Sequence, residues 1–220
     1  VARAVLFDLD GTLADTVPVI AHHIALTVTS FGTLVVPEAV VPYVGRPLEV
    51  ALVELSGLQH DDPQIPEMVA AYRETWRSVV DEHGVTLLLP GARALLDSLR
   101  EAGLSVGVVT AKTTDGAEHL LQAIGIADLV DIVVGTDLVT HGKPAPDSAL
   151  LAAERLGIDP TATWYVGDAV SDVVMARAAG MRPLGVTTGA SSAEELLAAG
   201  AELVVADASA VAPVVLSAAA

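Results

Sequence analysis

The stretch AVLFDLDGTLADT, residues 4–16, sets an apolar run directly against two aspartates, Asp8 and Asp10. The run from Ala4 to Phe7 reads as a strand buried on both faces, and the Asp-Gly pair after it reads as a turn. Two carboxylates at the mouth of a buried strand are costly unless they are paired or put to use. What the rest of the chain brings to that strand end therefore decides both fold and function.

From about residue 91 onward an amphipathic helix, a glycine and a short Val-rich strand recur. GARALLDSLREAG leads into LSVGVVT, GAEHLLQAIG into DIVVGT, PDSALLAAERLG into TWYVGD, SDVVMARAAG into RPLGVTT, and SAEELLAAG into ELVVAD. Apolar residues fall at three and four spacing in each helix, and Gly103, Gly125, Gly157, Gly180 and Gly200 stand where helix C-caps belong. Alternating helices and uninterrupted apolar strands predict a Rossmann-like, mostly parallel sheet covered on both faces, which the strand at 4–7 joins. Between these parts lies a region of helical periodicity without convincing strands: TVPVIAHHIALTVTSFG, PLEVALVELSG and PEMVAAYRETWRSVVDEHG, separated by Pro and Gly breakers. The expected division is an α/β core from 1–14 and 90–220, with an inserted all-helical cap from 15–89. Hinges are expected near Asp15 and Leu88 to Pro90, and SAVAPVVLSAAA reads as a last helix.

The bulk numbers agree. Hydrophobic residues make up 52% of the 220 and charged ones 18%, too apolar for a disordered chain and long enough for a sizeable core. Eleven Lys and Arg against 28 Asp and Glu give a net charge of −17, which disfavours a basic face for nucleic acid or attraction to an anionic membrane. Absence of cysteine removes disulfides, thiolate metal sites and thiol nucleophiles. There is no uninterrupted apolar window of spanning length, and with the first strand beginning at about residue 4 no signal peptide is expected within this sequence, which starts at Val1 without an initiator Met. The expectation is a soluble cytoplasmic protein, monomer or homodimer.

In open parallel sheets, ligands bind beyond the C-terminal strand ends. Asp8 and Asp10 follow the first strand, Thr110 closes LSVGVVT, and Asp168 follows TWYVG with Asp172 four residues on; Lys143 lies in HGKPAPDS before a helix. If those loops converge, like-charged carboxylates about 4 Å apart cost roughly 4 kcal/mol per pair at an effective dielectric near 20. Compensating cations are then required. Mg²⁺ suits an oxygen-only ligand set completed by substrate phosphate, and zinc is disfavoured without cysteine. With Lys143 and a metal supplying positive charge, the pocket could accept a phosphate and stabilise a transferring phosphoryl group.

FDLDGT, Thr110 in VVTAK, Lys143 in GKPAPD, and GDAVSD resemble, in order, the four motifs of the haloacid dehalogenase (HAD) superfamily. The set spans Asp8 to Asp172, the helical insertion resembles the cap of many members, and LPGARALLDSLREAGLSVGVVTAK is similar to the phosphoglycolate-phosphatase-like subgroup. The resemblance implies a phosphatase acting on a small phosphorylated metabolite in two steps. Asp8 would attack phosphorus to give an aspartyl-phosphate, and Asp10 would protonate the leaving oxygen and later activate water. Backbone amides after Asp8, through Gly11, together with Thr110 and Ala111, would hold phosphate oxygens. Lys143 would neutralise charge; Asp8, the Asp10 carbonyl and Asp168 would bind Mg²⁺, and Asp172 would act through a bound water. Asp10 favours phosphoryl transfer over dehalogenation, because a halide leaves without a proton. The EDS typical of sugar phosphomutases is replaced by Gly167, Asp168 and a later Asp172, which favours hydrolysis over a β-phosphoglucomutase-like reaction. Pyrophosphatases and nucleotidases share the same similarity and stay open.

Each motif taken singly has a plainer explanation. Asp8 and Asp10 also fit an Asp-Gly turn, Thr110 a strand-terminal cap, Asp168 and Asp172 helix capping, and Lys143 a solvated loop. Arg46, in YVGRPLEV between two cap helices, is placed either to grip a second anionic group on the substrate or simply in solvent. Lys112 reads equally as a site residue or a surface lysine, Trp76 and Trp164 as packing residues. None of the six histidines shows metal-ligand spacing, although His22 or His23 could line the cap pocket.

Overall fold

The computed structural model describes residues 4–217. β1 (Ala4–Phe7) is followed by four helices, α1 (Val17–Ser30), α2 (Pro37–Val40), α3 (Leu48–Ser56) and α4 (Gln64–His83). The chain then alternates: α5 (Ala92–Glu101), β2 (Ser105–Val109), α6 (Thr114–Ala123), β3 (Ile132–Val134), α7 (Asp147–Leu156), β4 (Trp164–Gly167), α8 (Val170–Ala178), β5 (Arg182–Val186), α9 (Ala193–Ala199), β6 (Leu203–Val205) and α10 (Val211–Ser217). The last helix falls where expected; residues 218–220 of that reading lie outside the described range.

All six strands are parallel, in the order β3-β2-β1-β4-β5-β6. β1 sits at the centre because both faces of AVLF are apolar: Val5 and Phe7 join the core that includes α5, α6, α10 and the inserted helices, whereas Ala4 and Leu6 pack with α7 and α8. Placing β1 between β2 and β4 makes the β1–β4 boundary the point where the winding reverses, the place where open α/β sheets bind ligands. Asp8, Thr110 and Asp168 are the residues immediately after β1, β2 and β4.

Local chemistry sets the helices. Leu95, Leu96 and Leu99 give α5 one buried stripe; the Thr113 hydroxyl accepts from Gly116 N to start α6, and Ser192 with Glu195 forms a reciprocal capping box on α9. The five glycines expected as C-caps all have positive φ, from 64° at Gly157 to 102° at Gly200. The inserted region has no named strand. Its longest helix, α4, buries Ile65, Met68, Val69, Tyr72, Trp76, Val79 and Val80 along one side, against α1, α3 and α6. Two backbone crossings join it to the core side by side: Asp15 N donates to Leu87 O at 2.7 Å and Leu89 N to Leu13 O at 3.0 Å.

Candidate active site

Sequence forces the turn after β1 into a tight loop. The amides of Leu13 and Ala14 both return to Leu9 O at 3.0 and 2.9 Å, with Gly11 at φ +81°. A Cβ at Gly11 would lie 2.6 Å from Asp168 Oδ2, so glycine there is required both by conformation and by the approach of the loop after β4.

That approach brings four charged groups into one buried volume. Lys143, with its side chain 1% exposed, donates to Asp8 Oδ1 and to Asp172 Oδ1, each at 2.6 Å. Asp172 is held further by Ala169 N at 3.1 Å and Tyr165 OH at 3.3 Å, and the same hydroxyl lies 3.0 Å from Val109 O. Asp168 receives Thr12 Oγ1 on one oxygen at 2.9 Å and Ala190 N on the other at 2.8 Å. Oxygens of Asp8, Asp168 and Asp172 all lie within 4.8 Å of one another.

Three carboxylates share one ammonium, and the electrostatics show the imbalance. Burial, then the repulsion of neighbouring carboxylates, carries Asp8 well above the usual carboxylate range despite Lys143. Burial and the charge of Asp172 push Asp168 up to about 7, against the donors Ala190 and Thr12. Burial works against Lys143 keeping its proton, but Asp172 and Asp8 raise it above its ordinary value, so it stays charged. If all three carboxylates are ionised, two negative charges remain uncompensated. An oxygen-only set with that surplus fits a hard divalent cation, and these three residues could hold one.

Asp10 stands apart from this cluster. Its Oδ1 accepts from Thr16 Oγ1 at 2.6 Å and lies 3.2 Å from Lys112 Nζ, while no hydrogen bond reaches Oδ2 among the described residues. Thr110 is buried, and its hydroxyl oxygen accepts from Lys112 N at 3.2 Å, which leaves its proton to donate elsewhere. Asp8, Asp10, Thr110 and Ala111 form the floor of a cavity of about 300 Å³. The inserted region also lines it, with Ile20 and Ile24 from α1, Tyr72, Arg73 and Trp76 from α4, and Tyr43 and Arg46 from the segment between α2 and α3.

The structure thus gathers Asp8, Lys143, Asp168 and Asp172 into one cluster and sets Asp10, Thr110 and Ala111 beside it. Arg46 reaches the cavity, but its guanidinium is forked onto Glu54 at 2.7 and 3.2 Å and lies 5.1 Å over the Tyr43 ring. His22 and His23 are not among the lining residues; His23 instead sets its edge against Trp76. Four participants had no clear signal in the sequence. Thr16, Tyr165, Gly189 and Ala190 act through contacts between residues far apart in the chain or with plain side chains. A Cβ on Gly189 would stand 1.9 Å from Asp168 Oδ2, so that glycine is as constrained as Gly11. Lys112 and Trp76 were each readable as ordinary surface and packing residues; the first is on Asp10, and the second both packs and lines the cavity.

A profile of the family described as haloacid dehalogenase-like hydrolase matches residues 5–186. A probable phosphatase, IndB, from Dickeya dadantii is 36% identical over 205 residues, covering 91% of this chain and 88% of that protein. A phosphoglycolate phosphatase from Shigella boydii is 35% identical over 214 residues, covering 88% of this chain and 84% of the relative. Among solved structures, a β-phosphoglucomutase from Clostridium difficile superposes with a TM-score of 0.85 over 96% of this chain and 93% of that one, at 22% identity. That last likeness is one of fold.

Proposed function

The chain belongs to the haloacid dehalogenase-like hydrolase family, and on that premise we propose a Mg²⁺-dependent phosphatase that forms an aspartyl-phosphate on Asp8. It is a phosphoric monoester hydrolase, as its relatives named phosphatases are, and its substrate is a small phosphorylated molecule. The observation that carries the reading is the division of labour between two carboxylates. Asp8 is fixed through Oδ1 alone by Lys143 within the acidic cluster, and Asp10, which lines the cavity, is held outside that cluster through Oδ1 with Oδ2 unbonded among the described residues.

In the first step an Asp8 oxygen attacks phosphorus, and the bond from phosphorus to the ester oxygen breaks as Asp10 gives that oxygen a proton. In the second, Asp10 takes a proton from water, which attacks the same phosphorus and restores the Asp8 carboxylate. Thr110, Ala111 and the amides through Gly11 orient the phosphate oxygens. Lys143 keeps Asp8 and Asp172 matched by a fixed positive charge through both steps. Mg²⁺ held by Asp8, the Asp10 carbonyl and Asp168, with Asp172 behind them, would neutralise phosphate charge. Tyr165, Ala169 and Lys143 already engage Asp172, which supports the less direct role for it.

For the substrate we infer a phosphoglycolate-like molecule, with residues 15–89 acting as a cap that opens on the paired crossings near Asp15 and Leu88. The named relative supports this, and Arg46 and Arg73 are among the cavity's lining residues; in this reading Arg46 exchanges Glu54 for a second anionic group on the substrate. Arg46→Ala should raise KM for doubly anionic substrates and leave a neutral-tailed ester unchanged; equal effects on both would remove Arg46 from substrate reading. Phosphate release should be measured across phosphoglycolate, pyrophosphate, nucleoside monophosphates and hexose phosphates. Isomerised sugar phosphate with little free phosphate would replace the hydrolase by a mutase.

A further inference from the structure

Lys112 follows Thr110 and Ala111 on the loop after β2, yet its ammonium serves two groups on different parts of the molecule. Nζ lies 3.2 Å from Asp10 Oδ1 and 4.3 Å from the centroid of the Trp76 ring. Asp10 belongs to the turn after β1, and Trp76 to α4 of the inserted region. The lysine is well placed to join them because its backbone is pinned at both ends: its N–H donates to Thr110 Oγ1 at 3.2 Å, and its carbonyl accepts from Thr136 N at 2.8 Å. Its side chain is 13% exposed, so the ammonium has exchanged most of its water for the carboxylate and the π face.

Both partners are themselves braced. Trp76 stacks on Tyr72 with ring centroids 6.0 Å apart and planes 6° from parallel, one helical turn away on α4. Asp10 Oδ1 receives Thr16 Oγ1 at 2.6 Å besides the ammonium. One hydrogen bond and one ion pair thus converge on Oδ1, and Oδ2, without a partner among the described residues, is left as the oxygen for proton exchange.

We propose that Lys112 is a positioning residue that couples seating of the inserted helices on the core to the orientation of Asp10. With α4 seated, the indole holds the ammonium against Oδ1. With α4 lifted the ammonium loses the ring, and Asp10 keeps only Thr16. Acid and base chemistry is thereby confined to the closed site, where water is excluded. Lys112 makes and breaks no bond in this role. The proposal rests on Asp10 being the acid and base of a phosphatase.

The test uses the full chain and its best substrate, with Lys112→Met, Lys112→Arg, Trp76→Phe, Trp76→Leu and the Trp76→Leu/Lys112→Met double variant. Lys112→Met should lower kcat about tenfold to a hundredfold at nearly constant KM, the scale of a misplaced catalytic group. Lys112→Arg and Trp76→Phe, which keep the cation and an aromatic face, should restore most of it. The double variant should be no slower than Lys112→Met, because the two residues act as one unit. Unchanged kcat in Lys112→Met with a wild-type melting temperature would overturn the proposal. So would a raised KM at unchanged kcat, which would make Lys112 a substrate-binding group instead, or fully additive losses. A Trp164→Phe background leaves Trp76 as the sole indole of the two present. There Lys112→Met should change the emission of Trp76, and an unaltered spectrum would deny the contact. If the wild-type chain releases phosphate from no substrate, the phosphatase reading fails, while this spectroscopic arm still decides the contact.

Discussion

Adding one methyl group at Gly189 should disable the site without altering any charge. The residue is not in the left-handed region, so alanine fits its backbone and the whole effect comes from the new Cβ. That atom would stand 1.9 Å from Asp168 Oδ2 and 2.3 Å from its Cγ, whereas ordinary contact begins at 3.4 Å. The carboxylate must therefore retreat by about 1.5 Å, well beyond what van der Waals contact tolerates. Retreat breaks the bond from Ala190 N at 2.8 Å and strains the one from Thr12 Oγ1 at 2.9 Å. Overpacking of this kind costs about 1–3 kcal/mol, and at roughly 2–4 °C per kcal/mol for a chain of this size the Tm should fall by several degrees. Catalysis should suffer more, because a displacement above 1 Å at a ligand commonly costs about a hundredfold in rate. Melting curves, Mg²⁺ titration and phosphate release on Gly189→Ala measure the three effects. A variant with wild-type kcat and wild-type metal half-saturation would refute the placement of Asp168 as a ligand.

Other outcomes follow from the same cluster. Lys143→Met strands Asp8 and Asp172 in the interior without their cation and should cost about 3–5 kcal/mol, with part of the loss recovered by adding Asp172→Asn; an unchanged Tm would contradict the pairing. Asp168 has its pKa raised in the folded chain from 3.8 to about 7, so its contribution to stability is present below the unfolded value and is lost as pH rises through the folded one. Over the whole range the difference is of order 4 kcal/mol at most, of which only about 1 kcal/mol falls between about pH 6 and about pH 8, where the metal-free chain should melt lower at the higher pH. Mg²⁺ added at the higher pH should reverse the loss, and Asp168→Asn should lessen the slope without abolishing it, because burial raises Asp8 as well; a Tm that rises with pH in the metal-free chain would oppose this reading. Arg46 and Glu54 are 39% and 44% exposed, so Arg46→Ala should change stability by less than about 1 kcal/mol and its kinetic effect can be read cleanly.

The core strands were legible because a doubly buried strand must be apolar throughout, and every helix before one ends at a glycine. The strand order was not written in those patterns. Sequence placed β1 in the sheet, and only the paired registers put it between β2 and β4 and so brought Asp8 beside Asp168. Asp8, Asp10, Thr110, Lys143, Asp168 and Asp172 could be picked out because each is a polar residue where an apolar strand stops or a helix begins. Their partners could not. Tyr165 sits inside a buried strand and looks like core until its hydroxyl is seen on Asp172 and Val109. Gly189 matters only through a carboxylate 21 residues earlier in the chain, and a glycine in a loop gives no sign of which neighbour it admits. Arg46 was readable as a free cation because Glu54 lies eight residues away, on the next helix, with nothing in the spacing to announce a forked pair. Lys112 beside Thr110 was ambiguous for the same reason: its partners, Asp10 and Trp76, are brought to it by the sheet and by the inserted helices.

The most direct single measurement is phosphate release by the purified chain from the substrate panel, with and without Mg²⁺, beside Asp8→Asn. The expected result is metal-dependent release that disappears in the Asp8 variant while its fold persists. Release that survives in Asp8→Asn, or none from any substrate with Mg²⁺ bound, would contradict a phosphatase working through Asp8.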